Sequence, residues 1–97
     1  MLRAIVLHPD DNVATLIDEG RANDLVQLTG ETTGQIKLLA DVPYGHKCAI
    51  RAIAKGTEIL KYGQVVGRAI ADIRAGDHVH VQNVEALRGR GDISERR

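Results

Sequence analysis

The side chains able to do chemistry gather between residues 43 and 83. His78 and His80 are one residue apart within His78-Val79-His80-Val81-Gln82-Asn83. On a strand, residues i and i+2 share a face, with Cα atoms roughly 6.5–7 Å apart. Two imidazoles so placed can grip one metal ion, or orient one carboxylate or hydroxyl. The plain alternative is two polar residues on a solvated face. His46 follows Gly45 in Pro43-Tyr44-Gly45-His46-Lys47. A turn there exposes its backbone and lets the ring reach a cleft, although alone it reads as a surface histidine. Lys47 and Lys61 can bind the carboxylate of a sugar acid, with a solvated lysine as the plain reading of each. Tyr62 is expected to pack its ring at a bend and show its hydroxyl. His46, His78 and His80 together form the candidate metal-ligating set.

These residues need turns and strand ends to position them, and the sequence supplies both. Leu2 to Leu7, Val13 to Ile17, Leu25 to Leu28 and Ile36 to Leu39 are short runs rich in apolar and β-branched residues, and they read as strands. His8-Pro9-Asp10-Asp11-Asn12 is a turn cluster, and Thr29 to Gly34 reads as a hairpin tip. A spacing then repeats: an apolar residue, two others, Gly, two others, an apolar residue. It occurs at Val42 to Cys48, Ile53 to Ile59 and Ile73 to Val79, and Ile17 to Gly20 matches its first half. A glycine at a fixed place marks a turn residue with positive φ, and the flanking apolar residues anchor that turn to the core. Three such units predict three similar β-turns in a compact all-β domain. No run shows a sustained helical period.

Composition narrows the class. Ninety-seven residues make one domain. With two tyrosines and no Trp or Phe, the core must be built from Val, Ile, Leu and Ala. So thin a core hints that burial is completed against another chain. Thirteen basic and thirteen acidic residues cancel, which argues against nucleic acid. No apolar stretch approaches the ~20 residues of a spanning helix, so no membrane association is expected. One cysteine, Cys48, fits a reducing cytoplasm and reads as a small buried side chain rather than a catalytic thiol. Phosphate-loop and dinucleotide glycine motifs are absent. The domain is expected to span residues 1–84. Residues 85–97 read as a tail that orders on a partner.

Four segments together resemble a known family: Asp11-Asn12-Val13-Ala14, Gly45-His46-Lys47-Cys48-Ala49-Ile50, Ile59 to Ala69 with its Lys61-Tyr62-Gly63, and Gly76 to Asn83. They are similar to the SAF domain of altronate dehydratase, which also forms the small alpha subunit of sulfolactate sulfo-lyase. The resemblance implies a β-clip fold and a separate, large catalytic subunit. It implies elimination of water from a sugar acid, or of sulfite from a sulfonate, with a divalent metal, usually iron, mainly on that large subunit. Such a metal polarises the substrate carboxylate and stabilises the enediolate. On this basis His46 and His80 are the catalytic candidates, and Lys47, Lys61, Tyr62, His78 and Asn83 the substrate-binding ones. The family often reads His-Val-His-x-His-Asn, but here Gln82 stands at the third histidine. Glutamine is a poor iron ligand. The rival readings are a binding or scaffolding β-clip module and a protein that only self-associates through an apolar patch.

Overall fold

The computed structural model describes residues 1–86, and among these there are nine strands and no helix. They are β1 (Leu2–Val6), β2 (Val13–Leu16), β3 (Leu25–Gly30), β4 (Gly34–Lys37), β5 (Lys47–Ala49), β6 (Glu58–Lys61), β7 (Gln64–Ala69), β8 (His78–Val79) and β9 (Val84–Ala86). The all-β expectation holds. A six-stranded sheet has the order β4-β3-β1-β2-β5-β8, and a three-stranded sheet has β6-β7-β9. Only the β1–β3 pair is parallel among the described strands. Strand β9 pairs with β7 from Val84 to Ala86, two residues past the expected end of the paired domain. The remaining tail expectation, over residues 87–97, lies outside the described residues.

Alternation along the strands divides the apolar side chains between two cores. On β1, Ala4 and Val6 turn inward, and on the adjacent β3 so do Val26 and Leu28. With Leu16, Leu38, Val42 and Cys48 they form the first core. The second joins Val13, Ala49, Ile53, Ile59, Ala69, Ile73 and Val79. Strands β2 and β5 serve both. Ala14 and Cys48 face the first core, and their neighbours Val13 and Ala49 face the second. Successive residues on a strand point to opposite faces, so these two strands are a shared wall.

The repeated spacing produces the turns it predicts, and a fourth that it hides. The turn bonds are His46 N–H to Pro43 O, Thr57 N–H to Ala54 O, Asp77 N–H to Arg74 O and Asp24 N–H to Arg21 O, each 3.0 Å. The third residue of each turn has φ between 77° and 93°: Asn23, Gly45, Gly56 and Gly76. That is the type II geometry, which admits Gly or Asn at this place. The first repeat therefore runs from Gly20, not from Ile17, with Asn23 where the others have glycine. The units pair through bridges, Gly20 with Val42 and Ile53 with Ile73. The same cap recurs in each pair: Asp41 accepts from Ala22 N–H and Asp72 from Lys55 N–H, both at 2.9 Å.

Asp11 and Asn12 fasten the β6–β7 hairpin to the large sheet. Both are buried. The Asp11 carboxylate accepts from Tyr62 N–H at 2.9 Å and Gly63 N–H at 2.8 Å. Those two residues form the hairpin loop, with φ of 61° and 73°. Two successive positive φ values fit the right-handed twist of a tight hairpin. The Asn12 amide donates to Glu58 O and accepts from Leu60 N–H, each at 2.9 Å.

Candidate functional site

His46, His78 and His80 meet because β5 and β8 pair in one register. Lys47 lies opposite Val79, and Cys48 opposite His78. One step further along, the antiparallel pairing sets His46 opposite His80. The His46–His80 ring centroids are 4.5 Å apart, the His46–His78 centroids 5.1 Å and the His78–His80 centroids 5.4 Å. His46 Nδ1 lies 2.9 Å from His78 Nε2, which sets one hydrogen bond between them. The His46 backbone is pinned by the turn bond to Pro43 and by Leu16 N–H donating to its carbonyl at 2.9 Å.

The approach of His80 differs from the single strand expected to carry His78 and His80. Strand β8 ends at Val79, and His80 leads into a turn over residues 81–83. Asn83 makes this turn: its side-chain oxygen accepts from His80 N–H at 3.0 Å and its amide donates to His78 O at 2.8 Å. Both ends of the amide are thus committed to backbone. Gln82 also donates to His78 O, at 3.1 Å. The strand face expected to carry both His78 and His80 ends before His80, because β8 stops at Val79. The third imidazole comes from His46, on another segment.

Lys47 and Lys61 are half-buried rather than freely solvated. With His80 they line a groove of about 460 Å³ whose apolar lining includes Val81, Val84 and Ala86. Burial, and then the Lys61 charge, lower the Lys47 pKa from its ordinary value. Burial lowers that of His78 too, followed by the charges of His46, His80 and Lys47. Both effects favour uncharged nitrogens. Tyr62 departs from expectation: it is 69% exposed at the hairpin tip, because Asp11 holds the loop by its backbone and the ring has nothing to pack against. Cys48 is fully buried, and its thiol is pushed up to about 11, chiefly by that burial.

Sequence reasoning missed Asp11 and Asn12 as clamps, since their composition signals only a turn. A Cβ built on Gly63 would meet the His8 ring at 2.7 Å, so His8 sits tightly against the hairpin loop. No helix of the described residues is long and apolar enough to cross a membrane.

Residues 2–87 match the family model described as the altronate/galactarate dehydratase SAF domain. Altronate dehydratase of Escherichia coli is 40% identical over 82 residues, covering 84% of this chain but 16% of that enzyme's length. The (2R)-sulfolactate sulfo-lyase subunit alpha of Chromohalobacter salexigens is 38% identical over 90 residues, covering 87% of this chain and 94% of that subunit. Galactarate dehydratase (L-threo-forming) of E. coli is 35% identical over 75 residues, 14% of its length. The turn framework and the match across nearly every described residue lead to one conclusion: the chain belongs to the altronate/galactarate dehydratase SAF-domain family.

Proposed function

We propose that the chain is the small subunit of a two-component lyase of the altronate-dehydratase type, eliminating water from a sugar acid beside a separate, large catalytic subunit. The observation that carries this reading is a cluster of three imidazoles, His46, His78 and His80, whose member His80 lines one groove with Lys47 and Lys61. Elimination next to a carboxylate needs a charged group to hold the acid and polar groups at the reacting carbons. Lys47 and Lys61 supply the first. His46 and His80 supply the second and are the catalytic residues of the proposal, with His78 beside them. Asn83 acts through them, holding the His78–His80 segment in place. Tyr62, at the free hairpin tip, reaches the substrate only if the partner closes over it. The divalent metal, iron, belongs in this reading mainly to the large subunit, where it would supply Lewis-acid polarisation of the substrate carboxylate. The isolated chain is inactive.

A second reading, the alpha subunit of a sulfolactate sulfo-lyase, is favoured by the 94% coverage of such a subunit. Both share the site and differ in the leaving group. Affinity capture from the native cell, with the partner identified by mass, tests the class. Turnover by the reconstituted pair on altronate and on sulfolactate, with ferrous iron, then separates the substrates. In that pair, His46→Ala is expected to abolish turnover while the complex stays intact. Unchanged activity removes His46 from the site, and failure to find a large partner favours a sugar-acid-binding or scaffolding module.

A further inference from the structure

We infer that His46, His78 and His80 form a three-nitrogen site for a divalent transition-metal ion carried by this chain itself. Among the described residues they are the one group of three metal-capable side chains whose donor atoms all lie within 4.8 Å of one another. Three nitrogens each 2.0–2.1 Å from one ion lie roughly 3–3.4 Å apart. The His46–His78 pair, at 2.9 Å, is close to that spacing and needs to open only slightly. His80 is exposed and stands on a turn rather than in a strand, so its ring can rotate to close the remaining distance. The proton now shared between His46 and His78 is what the ion replaces.

The surroundings choose the class of ion. No carboxylate belongs to the cluster. An all-imidazole set suits zinc, iron, nickel or copper and not magnesium or calcium. Lys47 and Lys61 oppose a bare cation at the neighbouring groove, so the ion that fits is one whose open positions take an anionic oxygen donor. Three protein ligands leave such positions free. The backbone under the ligands is held by hydrogen bonds: Asn83 holds His78 O and His80 N–H, and the His46 turn is tied to Leu16. Supporting groups of this kind typically matter 10–100-fold in metal affinity.

The site rests on this geometry and not on the lyase reading, which places the metal mainly on the partner. The test uses the untagged full chain, cleared with a chelator. Titration with Co²⁺, followed by visible absorption and by calorimetry, is expected to saturate at one ion per chain with a dissociation constant of roughly 10 μM or tighter. Mg²⁺ and Ca²⁺ are expected not to compete. His80→Ala, chosen because the side chain is exposed and its loss should leave the fold unaltered by circular dichroism, is expected to weaken binding at least tenfold. Asn83→Ala is expected to weaken it by about tenfold, and His8→Gln to leave it unchanged. No saturable Co²⁺ binding, or binding indifferent to His80→Ala, overturns the inference. Neither result bears on whether a large subunit exists, which the affinity capture decides separately.

Discussion

His78 is the residue whose environment makes the sharpest statement about pH. Folded, it titrates below its ordinary 6.5, first because burial disfavours the charged ring and then because His46, His80 and Lys47 repel it. Unfolded, it returns to the ordinary value. Between the two, the unfolded chain binds more protons, so stability rises with pH through that window. Below the folded value the full cost of charging the ring is present, and above 6.5 none of it remains. The metal-free chain is therefore expected to melt at a lower temperature at pH 5 than at pH 7.5, and His78→Gln to flatten that dependence. An unchanged slope in the variant would place the pH sensitivity elsewhere. Cys48, two residues beyond His46, illustrates the opposite outcome. Its neighbours in sequence carry chemistry, but its side chain points into the first core, and burial keeps it a thiol. The apolar alternation around it showed this without coordinates.

At the scale of elements, the β6–β7 hairpin is held by side chains far away in sequence. Asp11 accepts two backbone N–H groups of the loop, and Asn12 bonds both to Glu58 and to Leu60. Hydrogen bonds to a charged group such as the buried Asp11 carboxylate contribute roughly 1.5–3 kcal/mol each. Asp11→Ala leaves two donors without a partner, and is expected to destabilise the chain by about 2–4 kcal/mol, with amide exchange rising first at Tyr62 and Gly63. Uniform exchange across all strands would mean the clamp is not local. The glycine spacing announced three of the four turns because a type II turn needs a positive φ at one place. The fourth stayed hidden because Asn23 meets the same need with a side chain. The histidine segment was misread for a related reason. Alternating polar and apolar residues look like a strand wherever they occur, and nothing local reveals that Asn83 folds back onto His78 and His80.

At the scale of the whole molecule, the two cores are one mechanical unit, because β2 and β5 contribute a face to each. Leu16 and Ile59 lie fully buried in different cores. Truncating either to alanine is expected to cost about 2–5 kcal/mol. That is a large share of the roughly 5–15 kcal/mol that holds a domain together. Each variant is expected to unfold in a single transition by fluorescence-independent probes such as circular dichroism and calorimetry. Two transitions in the Ile59→Ala variant would show that the cores separate. The sequence by itself determined the strand content, the turn spacing, the composition of the core and the residues that carry the family resemblance, because each depends on local periodicity, φ preference or residue identity. Only the tertiary structure decided that His46 stands opposite His80, that Asp11 and Asn12 are clamps and that Lys47 and Lys61 share a groove with His80. Those facts rest on strand register and on contacts between segments well separated along the chain, and a chain read one neighbourhood at a time carries no record of which neighbourhoods will meet.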